Sequence, residues 1–325
     1  MRHLFIINPN SFDAPETMEN VIHEINDCFT EDGEYKIHIS RYSRDAIAVI
    51  HHYIEALTPD ITVRVYAVGG DGILFDCLNG MVHFPNAEIT NVPYGKSNDF
   101  IRAFGEEAKS KFLEIKDLIH APARPVDVIN CGSNYTVNQV GIGLEGQSAI
   151  DAGHFIHARG FKWLKRFVGQ IYTIATFGTL FNKEVMQQKY HIVLDGADIS
   201  GPYFNIKVSN GPCSGGNMIS NPHSKPDSGF LDGIFAVPAP LFTILAAVKD
   251  FTNGRFEKHK ILSHKQFKKM ELASDAPIRV HLDGEAFYTD KLTIEILPGG
   301  IRFFAPEGLW FYDYANNMNI KRAKP

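Results

Sequence analysis

The sequence predicts an α/β fold: a parallel-sheet layer comes first in the chain and an antiparallel sandwich or barrel follows it. In the first third, strand-like runs such as HLFIIN and TVRVYAVGG alternate with stretches of helical spacing. Strands separated by helices pair in parallel. Downstream, short alternating runs are joined by LDG-type turns, which are typical of hairpins. The composition changes at Ala-Pro-Ala-Arg-Pro, so we place the boundary between the two domains at residues 123 and 124.

In the first domain, every strand is an apolar run that ends in a turn residue. The helix over residues 15–29 is predicted from apolar residues three and four apart, as in Val21, Ile22 and Ile25. The predicted strands are HLFIIN, YKIHIS, TVRVYAVGG and AEITNVPYG, and the predicted helices cover residues 15–29, 44–56, 72–81 and 98–104. This order is typical of a sheet with helical crossovers.

The second half consists mainly of short strands. They are VDVINC, YTVNQVG, KYHIVLDG, YFNIKVSNG, GIFAVP, PIRVHLDG, KLTIEILPGG and IRFFAP. Two helical interruptions are predicted, at about residues 156–181 and 241–253. The chain has no internal repeat and no low-complexity tract, so a solenoid is excluded.

The bulk composition is that of an ordinary globular protein. The chain has 325 residues and is 44% hydrophobic, which is enough for two cores. A formal net charge of -5 gives no basic excess, so nucleic acid is not an expected partner. The 4 cysteines are far apart and form no C-x-x-C, and reduced thiols are expected.

No segment of the sequence is expected to cross a membrane. The most apolar stretches, FVGQIYTIATFGTLF and GIFAVPAPLFTILAAV, are too short or are interrupted by Pro238 and Pro240. A spanning helix needs about 20 apolar residues. The N-terminus has neither the basic start nor the cleavage site of a signal peptide. We therefore expect a cytoplasmic protein without an integral anchor.

The glycine loop in VYAVGGDGILFDCLNG suggests phosphate binding. Gly69, Gly70 and Gly72 turn a buried strand into a helix. Glycines let the backbone approach a phosphate, and the free N–H groups of the helix start favour anions. Asp71 would repel a phosphate unless it holds a cation or receives a proton. An ordinary tight turn, with Asp71 capping the helix, remains equally open.

Two further loops follow neighbouring predicted strands. NVPYGKSNDFIRAF combines Gly95 with Lys96, but Thr90 stands where a Walker P-loop has its first glycine, so a Walker site is disfavoured. INPNS offers Asn8 and Ser11 as donors, although a simple Asx-Pro turn or a capped helix start would explain these loops too. Several such loops after successive strands favour a shared nucleotide site at the strand ends.

The motifs resemble, in order, those of the diacylglycerol kinase catalytic-domain family of bacterial lipid kinases, which is related to sphingosine kinases. The matching segments are INPNS, GGDGI, PYGKSNDFIR, VGIGLE, SNGPCSGGNMISNPHSKPDSGFLDG and HLDGEAF. Five residues depart from the family pattern: Ile73, Lys96, Asp76, Asn217 and Ser228. Ile73 and Lys96 replace threonines that would contact the nucleotide.

The resemblance implies a nucleotide-binding domain at residues 1–123, a β-sandwich lipid-substrate domain at 124–305, and a C-terminal tail, 306–325, whose strand returns to the first domain. It implies ATP and Mg²⁺ as cofactors. The residues assigned to the nucleotide are Asn8, Pro9, Asn10, Ser11, Ser40, Gly69, Gly70, Gly72, Ile73, Lys96, Asn98 and Asp99. A structural magnesium is assigned to Lys225, Asp227, Ser228 and Phe230, although Ser228 replaces an aspartate of the family.

Glu285 and Asp71 are the carboxylates assigned to catalysis. By resemblance, Glu285 is the general base for the lipid hydroxyl and Asp71 lies near the γ-phosphate and Mg²⁺. In sphingosine-kinase-like members the loop aspartate is the base, so the two roles could be exchanged. Glu285 could also be a solvated residue of a hairpin turn, Asp283-Gly284-Glu285.

The expected partner is a lipid such as diacylglycerol, reached peripherally at the inner membrane surface. A basic-aromatic segment, RGFKWLKRF at 159–167, either lies on anionic headgroups or packs on the sandwich with a solvated face. Two alternatives stay open: an NAD kinase, which shares the G-G-D-G loop, and a non-catalytic lipid- or nucleotide-binding member of the family. The lipid and the oligomeric state are open as well, with a homodimer as one option.

Overall fold

The computed structural model describes residues 1–30, 33–157, 168–216 and 218–317. It divides the chain into two compact units. The first contains Met1–Val128, Lys225–Ser228 and Leu297–Asp313, and the second contains Ile129–Ser224, Gly229–Ile296 and the chain from Tyr314 onward. The mixed α/β class, with a parallel sheet followed by an antiparallel sandwich, is confirmed. The domain boundaries at 123 and 305 stay predictions.

The first unit is a parallel sheet with connecting helices. Its strands are β1 Arg2–Ile7, β2 Tyr35–Ile39, β3 Val63–Val68 and β4 Ala87–Val92; its helices are α1 Pro15–Asp27, α2 Asp45–Glu55, α3 Asp71–Met81, α4 Ala108–Lys111 and α5 Ile115–Leu118, with 3₁₀ helices at Pro9–Ser11 and Ile101–Phe104. The strand order is β2-β1-β3-β4, and every pair is parallel. All residues of β3 and β4 are buried, as expected for a parallel sheet.

The second unit is built from antiparallel strands. They are β5 Ala123–Asn130, β6 Tyr135–Thr136, β7 Gln139–Gly143, β8 Lys189–Leu194, β9 Ala197–Asp198, β10 Gly201–Pro202, β11 Asn205–Ser209, β12 Cys213–Ser214, β13 Met218–Ile219, β14 Leu231–Ala236, β15 Leu262–Phe267, β16 Lys269–Leu282 and β17 Glu285–Phe304. Its helices are α6 Leu144–His157, α7 Val168–Thr179, α8 Lys183–Met186 and α9 Leu241–Phe251, with a 3₁₀ helix at Phe256–Lys258. The central strands run in the order β15-β14-β11-β7-β16-β17.

Two strands, β5 and β17, pass from one unit into the other along the chain. The last residues of β17 lie in the first unit, where Arg302 and Phe303 pair in parallel with Glu88 and Ile89 of β4. The two predicted strands KLTIEILPGG and IRFFAP are therefore parts of one strand of 20 residues.

Several local predictions were wrong. No strand lies within APEGLWFYDYANN: residues 305–313 are irregular and 314–317 are helical. Pro306 lacks a backbone donor, and Gly308 adopts a φ of +77°, so this segment cannot continue a ladder. Residues 305–313 still belong to the first unit, where the Tyr312 amide donates to the Ala103 carbonyl at 2.7 Å, whereas Tyr314 and the residues after it belong to the second. The predicted helix at 98–104 is only a 3₁₀ turn, Ile101–Phe104.

The predicted helix at 156–181 is also different in the structure. The α6 helix starts twelve residues earlier, at Leu144, and α7 ends at Thr179. The basic-aromatic segment between them, 159–167, lies outside the described residues, as does Asn217. Within the described residues, no helix is long and apolar enough to cross a membrane.

Candidate active site

The glycine loop joins the end of β3 directly to α3. Gly69 has a φ of +153°, and a Cβ atom there would lie 2.9 Å from both the Ile73 Cγ2 and the Ser11 Oγ. The first loop of the chain therefore packs against the glycine loop so closely that no side chain fits between them. Gly70 is the N-cap of α3, and no side-chain hydrogen bond caps this helix. A helix start of this kind favours anions through its N–H groups.

The loop after β4 contacts the same glycine loop. A Cβ atom on Gly95 would overlap the Gly70 Cα, and it would lie 2.8 Å from the Gly70 nitrogen. Asn98 fixes this turn: it adopts a φ of +48°, and its Nδ2 donates to the Gly95 and Pro93 carbonyls at 2.5 and 3.3 Å. Within the described part of the chain, the buried Asn98 Oδ1 has no hydrogen-bond partner.

Gly95→Ala is expected to weaken nucleotide binding by about tenfold or more, because its methyl group would push the two loops apart where the phosphate is expected. Isothermal titration of ATP into wild type and variant measures the effect. Gly178→Ala is a suitable control: like Gly95, that glycine has no positive φ, but no atom lies within 4 Å of its Cβ position. Equal ATP affinities for wild type and Gly95→Ala would contradict a role for this contact.

The polar groups of the first loop, INPNS, form hydrogen bonds mainly within the loop and with the end of β3. The Asn8 Oδ1 accepts from the Asn10 amide at 3.0 Å, and the Asn8 amide donates to the Val68 carbonyl at 3.0 Å. Pro9 opens the 3₁₀ turn that ends at Ser11. The Asx turn expected as the simpler alternative is thus present, and it also ties this loop to the end of β3.

The remaining residues assigned to the nucleotide lie around these loops. Ser40 follows β2, and its Oγ donates to the Tyr42 carbonyl at 3.2 Å. Gly72 is exposed in the first turn of α3, whereas Ile73 is buried against Gly69. Lys96 is exposed, and Asp99 is buried 3.7 Å from the Arg102 guanidinium. The structure thus brings together the loops of Asn8, Gly69 and Gly95, and Ser40 lies at the same strand ends, where its amide donates to the Ile7 carbonyl at 2.8 Å.

This edge of the sheet fits a phosphate-bearing nucleotide. Two loops approach closely at Gly70 and Gly95, where backbone atoms and the Asn98 Oδ1 leave no space for a side chain on Gly95, and α3 begins there without a side-chain cap. Backbone N–H groups with no side chain in front of them suit phosphate oxygens. Asp71, the first residue of α3, is the partly buried carboxylate at that helix end.

The segment assigned to a structural magnesium fits that ion poorly. Asp227 is the single carboxylate among the four assigned residues, and its Oδ2 already accepts from the Trp310 Nε1 at 2.6 Å. The Lys225 carbonyl accepts from the Ser228 amide at 3.1 Å, and Phe230 is 41% exposed. Magnesium prefers several oxygen ligands in octahedral geometry. Among the described residues, no group of three His, Cys, Asp or Glu could hold a metal. The structural magnesium stays a prediction.

Glu285 follows a tight hairpin turn between β16 and β17. Leu282 pairs with Glu285, and the turn residues Asp283 and Gly284 both have positive φ. Asp283 anchors the hairpin: its carboxylate accepts from the Thr136 hydroxyl and from the amides of Val137, Asn138 and Gln139. Burial raises the pKa of the Asp283 carboxyl, although these hydrogen bonds oppose the shift. Glu285, which is only partly buried, is thus presented by a rigid turn.

The glutamate of the VGIGLE motif, Glu145, had no role assigned from the sequence. In the structure, Glu145 accepts from the Lys207 Nζ at 3.2 Å and lies 3.5 Å from the His281 Nε2. Burial alone would raise the pKa of Glu145, but the Lys207 ammonium and His281 outweigh it and hold the pKa at about 2. Gly141 has no space for a side chain, because a Cβ atom there would overlap His281. The sequence signal for this cluster of charged residues was a lysine among the apolar residues of a strand, Lys207 in NIKVS.

The chain thus combines a parallel sheet that carries glycine loops at its carboxyl edge with an antiparallel sandwich further along the sequence. Residues 2–131 match the diacylglycerol kinase catalytic domain, and residues 151–305 match the YegS C-terminal NAD kinase beta sandwich-like domain. The first domain therefore belongs to the diacylglycerol kinase catalytic-domain family, and the second to the YegS C-terminal domain family.

Curated relatives carry corresponding names. A "Probable lipid kinase YegS-like" of Shewanella frigidimarina is 26% identical over 82% of this chain and 84% of its own length. Another of the same name, from Alcanivorax borkumensis, is 24% identical over 75% of this chain and 79% of its own length. A crystal structure of a diacylglycerol kinase from Bacillus anthracis str. Sterne superposes with a TM-score of 0.68 at 20% identity, covering 95% of this chain and 98% of that one. At that identity, the structural likeness shows the fold alone.

Proposed function

We propose that the protein transfers the γ-phosphate of ATP to the hydroxyl of a membrane lipid such as diacylglycerol. The observation that carries the proposal is the close backbone contact between Gly70 and Gly95 at the start of α3, a helix without a side-chain cap. Such an edge suits a polyphosphate, and the relatives are named as lipid kinases. The alternative of an NAD kinase has the weaker support, because the first half of the chain matches the diacylglycerol kinase domain.

In the proposed reaction, Glu285 accepts the proton of the lipid hydroxyl. The hydroxyl oxygen then forms a bond to the γ-phosphorus while the bond to the β-γ bridging oxygen breaks, which releases ADP. The N-terminal amides of α3 orient the phosphates, and Asp71 lies at the same helix end. When bound with the nucleotide, Mg²⁺ would neutralise phosphate charge. The protein contributes position and proton transfer, which is what this chemistry requires.

Phosphate transfer from radiolabelled ATP with Mg²⁺, measured against a panel of membrane lipids and against NAD, tests the proposal. The expected result is a labelled lipid and unlabelled NAD. A labelled nucleotide with no labelled lipid would indicate the NAD kinase alternative. ATP binding without any transfer would indicate the non-catalytic alternative and would contradict the proposal.

A lipid acceptor implies work at a membrane surface, so we further propose peripheral association with the cytoplasmic side of the membrane. This association is measured by flotation of the protein with vesicles of anionic lipids, compared with vesicles of phosphatidylcholine alone. Protein that stays out of the lipid fraction in both cases would contradict this part of the proposal.

Lys96 is expected to contribute to phosphate binding in place of the family's threonine. It is exposed in the loop that contacts Gly70, and charge-assisted contacts are roughly twice as strong as neutral ones. Lys96→Ala should therefore weaken the binding of ATP more than the binding of adenosine. Lys96→Thr should restore part of the lost ATP affinity. Calorimetric titration of ATP, ADP and adenosine separates these effects. Equal losses for all three ligands, or none, would show that Lys96 does not reach the phosphates.

A further inference from the structure

The outward side of α7 is apolar. One side of this helix is buried against α6 through Ala175. The opposite side presents Ile174 and Phe177, which are 68% and 54% exposed, and Phe181, in the turn after the helix, is 74% exposed. A surface helix usually turns polar or charged side chains outward, whereas residues 168–182 contain no charged side chain. The outward side of α7 is therefore suited to an apolar partner.

The start of α9 has the same character. Ile244 is buried, whereas Phe242, two residues earlier, is 86% exposed. Residues 233–248 again contain no charged side chain. The two helices are connected by packing, because Ile244 belongs to an apolar cluster on which Leu180, directly before Phe181, also packs. Large apolar side chains exposed together mark a binding surface. We call four of them the apolar face: Ile174, Phe177, Phe181 and Phe242.

The segment that follows α9 in the chain is basic. Residues 249–260 carry four exposed cationic side chains: Lys249, Arg255, Lys258 and Lys260. The two carboxylates of the segment each have a histidine partner. Asp250 lies 3.0 Å from the His259 Nε2, and Glu257 lies 3.1 Å from the His223 Nε2. Cations thus outnumber carboxylates in this segment, and Lys249, in the last turn of α9, directly follows the uncharged stretch.

The combination of apolar and cationic side chains selects the partner. A dimer with two-fold symmetry brings the same surface of both copies together, so it would place two basic segments at one interface. An anionic membrane complements both features, because its acyl chains accept apolar side chains and its headgroups attract lysine and arginine. Within the described residues, no helix is long and apolar enough to span a membrane, so the contact would lie on the membrane surface.

We infer that the apolar face inserts into the surface of an anionic membrane, with the basic segment, residues 249–260, on the lipid phosphates. The inference rests on the proposed function and names the surface through which the proposed peripheral association takes place. Both helices of the apolar face belong to the second unit. They also fall within the predicted lipid-substrate domain, residues 124–305, so this contact would bring that domain to its substrate.

Flotation without ATP tests the apolar face. The vesicles contain phosphatidylcholine and phosphatidylglycerol, and the variant carries Phe177→Ser, Phe181→Ser and Phe242→Ser. Its binding should be weaker by about tenfold or more, because burial of one phenylalanine side chain already corresponds to roughly that factor. Tyr42→Ser is the control: Tyr42 is 69% exposed but lies in the first unit, so its loss should leave binding unchanged.

The three phenylalanines are exposed, so the triple variant should fold, which thermal unfolding checks. Phe242→Ser alone removes the most exposed side chain of the apolar face. It should still weaken binding by about threefold or more, because burial of this ring contributes a large part of the transfer free energy. This single variant keeps the test decisive even if the triple variant is unstable.

A second pair of variants tests the basic segment. Lys249→Glu with Lys260→Glu should weaken binding to the phosphatidylglycerol vesicles by about tenfold or more, because each lysine near an anionic surface contributes roughly fivefold. Binding to vesicles of phosphatidylcholine alone should not change. Lys109→Glu with Lys111→Glu is the matched control, because both lysines are exposed on α4 of the first unit.

Wild-type binding by the phenylalanine variants, or by the double glutamate variant of residues 249 and 260, would overturn the inference. A dimer that the triple variant abolishes in light scattering, with flotation unchanged, would assign the apolar face to a second copy of the chain and overturn it too. Phosphate transfer to dioctanoylglycerol in detergent micelles needs no bilayer and keeps the two proposals apart. Wild-type protein that floats but transfers no phosphate to any lipid would refute the proposed function alone.

Discussion

Glu285→Gln should lower kcat by about a hundred- to ten-thousand-fold and leave ATP affinity nearly unchanged. A general base acts on the hydroxyl proton in the transition state and does not contact the nucleotide. The amide of glutamine cannot accept that proton, yet it has nearly the same shape. The Asp283 carboxylate, which anchors the hairpin through the amides of residues 137–139, is untouched by the change.

Steady-state kinetics with a lipid identified by the panel assay, together with ATP titration, measure both quantities. Glu295→Gln is the matched control: it lies on the same strand, β17, and is exposed, so kcat should not change. A Glu285→Gln enzyme with a raised KM for ATP and an intact kcat would assign this residue to nucleotide binding. In that case Asp71 would become the candidate base.

Asp71→Asn should reduce kcat by about a hundredfold or more while the protein stays folded. Asp71 is the first residue of α3 and lies at the helix end where the phosphates are proposed to bind. A carboxylate there is useful only if it holds a cation or takes a proton, and both functions need its charge. Loss of a charge that stabilises the transition state typically costs about this factor.

Turnover and thermal unfolding, measured together, separate the role of Asp71 in catalysis from a role in capping the helix. Asp117→Asn provides the control, because it also replaces a carboxylate in the first turn of a helix, α5, where Asp117 is exposed. If capping were the only function of Asp71, the variant would lose stability and keep its kcat. Such a result would remove Asp71 from the catalytic assignment.

The strands and helices of the first unit were predictable because their signals are local. Apolar runs ended by glycine or proline marked β1, β3 and β4, and the structure has a strand at each place. The predictions at the C-terminus and at residues 98–104 were wrong for a local reason as well. A left-handed Asn98 and a Pro-Gly turn at 306–308 interrupt regular hydrogen bonding where the apolar pattern continues.

The start of α6 was missed because its sequence, LEGQSAIDAGHFIH, carries two glycines and little amphipathic pattern. Tertiary packing decides this helix: Glu145 in its first turn is fixed by Lys207 and Asn205 of β11, sixty residues further along the chain. Intrinsic helix propensity predicts the start of a helix poorly when tertiary contacts of this kind stabilise it.

By itself, the sequence determined the order of strands and helices, the three loops at the strand ends, and the family to which their motifs belong. Only the tertiary structure decided that Gly70 touches Gly95 and that the buried residues Gln139, Ser209 and Asp232 form one row across the sheet. The physical reason is that a turn or a helix depends on neighbouring residues, whereas a row across a sheet depends on register. Register joins residues that the sequence keeps far apart, and a shift by one residue would turn every side chain of the row to the opposite face.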